Sequence, residues 1–249
     1  MLYYLRNTER RFRSRNRLRK SLSDRGLDMK SVLVIGIGQF GRQLSMKMSE
    51  LGNEVMVVDT DEEKLQDVLP HVTSAEIADC TNEDVLRSMG VRNFDVCFVC
   101  VGDSFENSLQ ITSLLKELGA KHVISRASSD VHAKFLLRNG ADEISYPERD
   151  IAQKLAVQYS ADNVFDYFEL TKDVSIYEIP PIDSWVGKTI KEVNVRVKYQ
   201  VSILATKVGE KVSPLPSADH VFTADEHLMI LGSYTHVARL LKLVDTKRL

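Results

Sequence analysis

The stretch VLVIGIGQFG, residues 32–41, places a G-x-G-x-x-G pattern between a short apolar run and an amphipathic one. In a strand, loop and helix of this kind, Gly36 permits the tight turn and Gly38 lets the backbone approach a pyrophosphate, while Gly41 allows close packing of helix on strand. The N–H groups at the start of the helix then face the phosphates. The residues that we assign to cofactor binding in this loop are Gly36, Gly38, Gln39, Phe40 and Gly41.

A carboxylate follows at the spacing that such a site requires. Asp59 ends the next apolar run, 23 positions after Gly36. An acidic residue at the end of the second strand accepts hydrogen bonds from the ribose hydroxyls of a nucleotide. The loop and the carboxylate together predict a nucleotide-binding site.

Short apolar runs and amphipathic stretches alternate strictly as far as residue 146, which indicates βαβ units and a parallel sheet. Glycine just past a helix is a common end signal, and the predicted helices end before Gly52, Gly90, Gly119 and Gly140. We predict an α/β fold, a Rossmann-like doubly wound sheet. The predicted strands cover residues 31–35, 54–58, 73–77, 96–101, 122–126 and 143–146, and the predicted helices 38–51, 62–69, 82–89, 104–118 and 130–138.

The pattern changes after residue 146 and predicts a small C-terminal α+β domain. It contains expected strands at 174–179, 201–208 and 227–231, and expected helices at 188–193 and 234–244, with a loop at 213–216. The predicted divisions are a basic, disordered extension at 1–29, the nucleotide-binding domain at 30–147, a connecting helix and linker at 148–166 and the C-terminal domain at 167–249.

Three further positions lie where predicted strands meet the next helix, the crevice in which doubly wound sheets bind ligands. Asp79 is placed to accept from an adenine amino group, and Gly102 lets the backbone approach the ligand. Arg126 ends the fifth strand, where a cation suits a phosphate. For Asp79 and for Ser104, helix capping is the alternative role.

Other chemistries lack a pattern in this sequence. No Gly-Lys-Ser or Gly-Lys-Thr motif follows a strand, which disfavours a P-loop. Cys97 and Cys100 lie three apart in a strand and therefore point to opposite faces, so buried packing is favoured over a shared metal. The six histidines are scattered, and we expect single surface or capping roles for them. Only three cysteines occur, which fits a reducing, cytoplasmic compartment.

The formal net charge of -2 conceals a basic segment. Residues 1–30 carry a balance of +7, which leaves -9 for the remainder. Such an arm suits nucleic acid, anionic lipid or an acidic partner. The alternatives are a disordered tail, or upstream sequence before a natural start at Met29. The longest apolar runs are too short to span a bilayer, so we expect any membrane role to come through a partner.

These residues resemble the regulator-of-potassium-conductance (RCK) proteins, and more closely the cytosolic regulatory subunits of Ktr/Trk-type potassium uptake systems. The resemblance covers about residues 30–249, with both domains in order. It is carried by the G-x-G-x-F-G loop, Asp59, the A-D-x-T stretch at 78–81, V-G-D-x-x-E-N-S at 101–108, N-G-A-D at 139–142, N-V-R at 194–196 and P-x-P at 214–216.

The resemblance implies a non-enzymatic sensor that binds ATP, ADP or NAD(H) and gates a membrane potassium channel. It implies dimers assembled into an octameric ring at the membrane through the channel, with no nucleic-acid partner. The positions that match the family's ligand site are Gly36, Gly38, Gly41, Asp59, Asp79, Gly102 and Arg126, with Glu106 as a ligand of a divalent cation.

Two further features come from the same resemblance. Ktr members often carry arginine after the second glycine, where it reaches a γ-phosphate across the dimer, whereas this chain has Gln39. Discrimination of ATP from ADP then depends on whether Arg42 substitutes. Some C-terminal domains of the family bind cyclic di-AMP, and Arg196 matches a phosphate-contacting arginine there. The alternative for Arg196 and Lys198 is that both are solvated charges beside a turn.

Two other function classes stay open on the residues alone. An NAD-dependent oxidoreductase would use the same loop, but the small C-terminal domain shows no obvious acid or base for substrate chemistry. A nucleotide-responsive DNA-binding regulator would use the basic arm, with a steep salt dependence.

Overall fold

The structure is a computed structural model that describes residues 29–102, 104–160 and 163–245. The predicted basic extension at 1–29 therefore lies outside the described residues, except for Met29. The chain divides after Pro147 into two compact units, which are described separately. Within the described ranges, no helix combines the length and the apolar character needed to cross a bilayer.

The first unit contains a parallel sheet in the order β3-β2-β1-β4-β5-β6, which is the doubly wound order with a switch point between β1 and β4. The predicted Rossmann-like fold is confirmed. The strands are β1 Ser31–Ile35, β2 Glu54–Asp59, β3 Ser74–Ile77, β4 Val96–Val99, β5 Val123–Arg126 and β6 Glu143–Ser145. The helices are α1 Gln39–Glu50, α2 Glu62–Val68, α3 Glu83–Met89, α4 Phe105–Glu117 and α5 Asp130–Arg138, with a 3-10 turn at Val91–Asn93.

Strand β1 lies at the centre of this sheet because its side chains are apolar on both faces. Leu33 belongs to the core on one side and Val32 to the core on the other, and both are fully buried. Burial on both faces is what a central parallel strand with helices on each side requires. The switch point at the end of β1 therefore opens directly onto the glycine loop.

Strand β4 ends at Val99, two residues before the predicted end at 101. The chain turns there because it passes over the glycine loop: a Cβ placed on Gly36 would lie 2.9 Å from the Val101 nitrogen. Val101 and Gly102 thus form a wall of the crevice at the switch point.

The second unit contains a sheet in the order β10-β9-β11-β8-β7, in which every pair is antiparallel. Trp185 and Phe222 are its largest buried side chains and lie in one core cluster. The predicted small α+β domain is confirmed. Its strands are β7 Asp166–Glu169, β8 Val174–Ile179, β9 Ser202–Val208, β10 Lys211–Pro214 and β11 His227–Ser233, and its helices are α6 Pro147–Ser160, α7 Ile190–Val193, α8 Val195–Tyr199 and α9 Tyr234–Asp245.

Three elements of this unit differ from the sequence prediction. The predicted loop at 213–216 was wrong in part, because β10 pairs with β9 through a turn at Gly209, where φ is +56°. Strand β7 begins inside the predicted linker and pairs with β8. The predicted turn around Arg196 is helix α8, which Asn194 and Gln200 enclose in left-handed conformations.

Candidate nucleotide site

The glycine loop between β1 and α1 requires glycine at two positions for steric reasons. Gly36 has φ +91°, which L side chains rarely adopt. A Cβ on Gly41 would lie 2.0 Å from the carbonyl oxygen of Gly36, well inside ordinary contact. Helix α1 therefore packs directly against the turn that precedes it, as the spacing of the motif predicts.

Gly38 is exposed and has a different role. It is the N-cap of α1 with φ -68°, and among the described residues no side chain caps this helix. A Cβ on Gly38 would meet no described atom within 4 Å. By contrast, each of the four other helices described in the first unit from residue 29 onward is capped by a side chain, namely Asp61, Asn82, Ser104 and Ser129.

The uncapped end of α1 is suited to an anion. The first N–H groups of a helix have no partner within the helix, and the helix dipole places partial positive charge there. The open space at Gly38 leaves room for a phosphate to approach those groups. These features fit a nucleotide whose phosphates lie at the end of α1.

Asp59 links the loop to the second strand. Its carboxylate accepts a hydrogen bond from the N–H of Ile37 at 2.6 Å and another from the N–H of Asp61 at 3.0 Å. The Lys64 ammonium lies 3.9 Å from the same carboxylate, whose side chain is only 9% exposed. Because each carboxylate oxygen has two lone pairs, Asp59 retains acceptor capacity for ribose hydroxyls while it holds the loop in place.

Gly102 and Arg126 form the opposite wall of the crevice. A Cβ on Gly102 would lie 2.1 Å from Arg126 Nη1, so the guanidinium packs against the bare backbone at this glycine. A larger residue at 102 would displace the guanidinium. Asp103, the next residue, lies outside the described residues. Ser104 caps α4 by accepting from the N–H of Asn107 at 3.1 Å, which confirms the capping alternative for this serine.

Asp79 is exposed and follows β3. Its carboxylate accepts from the hydroxyl of Thr81 at 2.7 Å and from the N–H of Thr81 at 2.9 Å, and these bonds lower the pKa of Asp79. The cap of α3 is Asn82, so the capping alternative for Asp79 was wrong. Asp79 is instead an ionised acceptor held in a fixed orientation beside the strand end.

The side chains that follow Gly38 differ in how far they are available to a ligand. Gln39 is exposed at the first residue of α1, whereas Phe40 packs against the core. The Phe40 side chain is therefore engaged by the core of the first unit. Arg42, the alternative partner for a third phosphate, donates instead to Asp67 at 2.9 Å.

Two further candidate ligand residues were predicted, one in each unit. Glu106 is exposed in the first turn of α4, and the described part of the chain contains no group of three His, Cys, Asp or Glu side chains that could hold a metal ion. A cation at Glu106 would need ligands from elsewhere. Arg196 belongs to the second unit, where it is exposed on α8 beside Lys198.

The cysteines are buried as free thiols. Burial raises the pKa of Cys100 to about 12, although the charge of Arg126 opposes this shift, and burial likewise raises the pKa of Cys97 to about 12. Both thiols therefore stay protonated near neutral pH and are poor nucleophiles.

The expectation that the histidines lie at the surface or cap helices was wrong for His132, which is fully buried. Its ring bonds to Ser108 and Ser128, two serines that sequence reasoning did not connect with it. No local pattern indicates this contact, because Ser108 lies 24 positions away on another helix.

Comparison with known proteins matches both units to described domains. Residues 32–147 match the TrkA-N domain and residues 174–245 match the TrkA-C domain. The chain is 38% identical over 215 residues to the Ktr system potassium uptake protein C of Bacillus subtilis. The aligned region covers 86% of this chain and 97% of that protein. The chain belongs to the Ktr family of potassium uptake proteins.

A second Ktr relative agrees with this assignment, and a solved structure shares the fold. The Ktr system potassium uptake protein A of Bacillus subtilis is 35% identical over 84% of this chain and 95% of its own length. The GsuK channel bound to NAD has the same fold, with a TM-score of 0.64 at 19% identity over 87% of this chain. This Ktr family member spans only 40% of that channel chain.

Proposed function

We propose that this Ktr family member is a non-enzymatic regulatory subunit, located in the cytoplasm, that binds an adenine nucleotide and thereby biases the opening of a membrane potassium channel. The observation that carries the proposal is the uncapped N-terminus of α1, open at Gly38 and adjoined by the Asp59 carboxylate. The two halves of the site suit the two polar parts of a nucleotide, its phosphates and its ribose diol.

The charges around the loop bear on which nucleotide binds. Gln39 brings no charge to the end of α1, and Arg42 is engaged by Asp67 on the neighbouring helix. Arg126 on the opposite wall is the cation best placed to balance phosphates. We therefore expect ATP and ADP to bind with similar affinity, and we include NAD⁺ and NADH because GsuK, of the same fold, was solved with NAD.

Regulation requires that the ligand distinguish two states of the protein. A nucleotide that binds both states equally shifts nothing, whereas a tenfold preference biases the equilibrium by about 1.4 kcal/mol. A regulatory role rather than catalysis agrees with relatives named as potassium uptake proteins and with the protonated thiols beside the loop.

Assembly into a ring is part of the proposal and is supported by exposed apolar side chains. Phe105 on α4 is 46% exposed and meets the 43% exposed Phe135 of α5 with ring centroids 5.8 Å apart. On α6, Ile151, Leu155 and Tyr159 recur every four residues and are all exposed. Apolar patches of this kind are typical of surfaces that another protein covers. Size-exclusion chromatography with light scattering of Phe135→Asp should show smaller assemblies than the unaltered chain.

Two further ligands belong to the proposal. A divalent cation at Glu106 would take its remaining ligands from the nucleotide phosphates, because hard oxygen donors suit such ions. Cyclic di-AMP would meet Arg196, whose exposed guanidinium matches the bidentate geometry of a phosphate. Binding with and without Mg²⁺, and binding to Arg196→Ala, test these two ligands separately.

The central experiment is a thermal-shift panel on the full chain with ATP, ADP, NAD⁺, NADH and cyclic di-AMP. A ligand at 100 times its Kd adds about 2.7 kcal/mol to the free energy of unfolding. The test variant is Asp59→Ala and the matched control is Asp61→Ala, which removes a carboxylate two residues away and the cap of α2. We expect the adenine-nucleotide shift to vanish in the first and persist in the second.

A cellular assay tests the regulatory half of the proposal. Cells that lack their own potassium uptake systems would express the chain together with a Ktr-type membrane subunit. Growth at low potassium should depend on the chain and respond to Asp59→Ala more than to Asp61→Ala. Equal growth without the chain, or turnover of NADH with a substrate, would contradict the proposal.

A further inference from the structure

A buried polar network connects α4 with α5 and the residue Ser128 just before α5 in the first unit. His132, in the first turn of α5, is fully buried together with Ser108 of α4. Its Nε2 lies 2.7 Å from Ser108 Oγ and its Nδ1 lies 3.1 Å from Ser128 Oγ. Buried polar groups are stabilising only when each finds its partner, so these contacts constrain how the two helices lie.

The direction of these hydrogen bonds follows from the donors. The backbone N–H of Ser128 points at His132 Nδ1 at 3.3 Å, and an N–H can only donate. Nδ1 is therefore the acceptor, and the neutral ring carries its proton on Nε2. Nε2–H donates to Ser108 Oγ, and the Ser108 hydroxyl donates onward to the carbonyl of Phe105 at 3.1 Å. Burial lowers the pKa of His132 and thus favours this neutral form.

The network ends in the first turn of α4, which follows one wall of the candidate site. Phe105 is the first residue of α4, and its ring packs against the His132 ring with centroids 4.7 Å apart. In the chain before it, Val101 lies over Gly36, and Gly102 lies against the Arg126 guanidinium. The position of this turn therefore determines where the wall stands relative to the glycine loop.

We propose that His132 is a positioning residue for the nucleotide: through its hydrogen bond to Ser108 it holds the first turn of α4, and with it Val101 and Gly102, in the binding position. His132 itself does not touch the ligand. The inference rests on the proposed function and extends it, because it assigns part of the nucleotide affinity to a buried side chain outside the crevice.

Two substitutions of His132 separate this role from general support of the core. In His132→Gln the amide nitrogen takes the place of Nε2 and still donates to Ser108. In His132→Asn the amide oxygen takes the place of Nδ1, keeps the bond from Ser128 and loses the donor to Ser108. Both variants replace the buried ring with a smaller amide side chain, so they remove a similar amount of buried surface. They differ in the hydrogen bond that remains, which is the bond to Ser108 in His132→Gln and the bond from Ser128 in His132→Asn.

The experiment measures the Kd of the full chain for ADP and for NAD⁺ by isothermal titration calorimetry, with the unfolding temperature of each variant recorded alongside. We expect His132→Gln to stay within about threefold of the unaltered chain and His132→Asn to lose about tenfold. Ser108→Ala, which leaves the ring in place, should lose about as much as His132→Asn.

The matched control is Thr112→Val. Thr112 lies one turn further along α4, is fully buried, and bonds to the Ser108 carbonyl at 2.7 Å and to Ser125 Oγ at 2.8 Å. Its loss should lower the unfolding temperature as much as Ser108→Ala does, yet leave the Kd within about twofold. The double variant Ser108→Ala with His132→Asn should bind no more weakly than either single variant, because both remove one bond.

The outcomes distinguish the inference from the proposed function. Unchanged Kd in Ser108→Ala and His132→Asn, with normal binding by the unaltered chain, would overturn the inference alone. Equal losses in His132→Gln, His132→Asn and Thr112→Val would assign the effect to general destabilisation and also overturn it. Absence of binding by the unaltered chain to both ligands would overturn the proposed function and the inference together.

Discussion

Alanine at Gly38 and alanine at Gly41 should have opposite consequences, although the two glycines belong to one motif. At Gly38 the backbone angle of -68° suits any residue, and a methyl group would meet no described atom within 4 Å. At Gly41 the methyl carbon would lie 2.0 Å from the Gly36 carbonyl oxygen, more than 1 Å inside ordinary contact. The first change affects only what approaches from outside, and the second affects the fold.

The magnitudes follow from these distances. Gly38→Ala should change the free energy of unfolding by less than about 0.5 kcal/mol, because reduced freedom of the unfolded chain offsets the poorer N-cap. Gly41→Ala forces α1 away from β1 against backbone atoms that cannot rotate aside, which should cost about 3 kcal/mol. For a domain of this size that cost lowers the Tm by roughly 10 °C.

The assay combines urea denaturation with ADP titration on each variant. Gly38→Ala should fold normally and lose at least about tenfold in ADP affinity, since the methyl group occupies the path of the phosphates to the N–H groups of α1. Normal ADP affinity in a normally folded Gly38→Ala would refute the placement of the phosphates. Normal stability in Gly41→Ala would refute the close packing of α1 on the turn.

Three further predictions concern groups outside the loop. A hydrogen bond from Lys121, with others from Ser31, lowers the pKa of Asp95 to about 2, so the stabilising contribution of Asp95 is lost as the pH falls from about 4 towards 2. When the free energy of unfolding is measured by urea denaturation at several pH values, Asp95→Asn should therefore show a smaller decrease over this range. Burial lowers the pKa of His132 in the folded protein below the value of roughly 6.5 in the unfolded chain, so the unfolded chain takes up a proton at a higher pH. The free energy of unfolding should therefore decrease as the pH drops below about 6.5, and it should decrease less in His132→Gln. Because burial raises the pKa of the Cys97 and Cys100 thiols to about 12, Ellman's reagent at about pH 8 should react with them only after denaturant is added.

Much of the first unit follows from local sequence. Alternating apolar and amphipathic runs predicted all six strands of its sheet, and β1 and α5 have the predicted bounds. The end of β4 was wrong by two residues, because contact with Gly36 and not the apolar run decides where the strand leaves the sheet. The four glycines after the helices have positive φ, as a left-handed helix end requires.

The second unit was predicted less completely, for a physical reason. Strands β7 and β10 lie at the two edges of its sheet and are only four residues long. Edge strands this short are stabilised by pairing with a neighbouring strand. Four residues contain too few apolar and polar alternations for the sequence to predict a strand. Helix α8 was missed because Asn194 and Gln200 stand where a glycine would have indicated a helix boundary.

The sequence by itself determined the features that depend on residues close in the chain: the glycine loop, the glycines that end the helices, and the alternation that requires a parallel sheet. Only the tertiary structure decided which side chains meet across elements. Arg42 is paired with Asp67, 25 positions away, and His132 is buried against Ser108, 24 positions away. Backbone angles and caps are set by a few neighbouring atoms, whereas these contacts depend on where the sheet places whole helices.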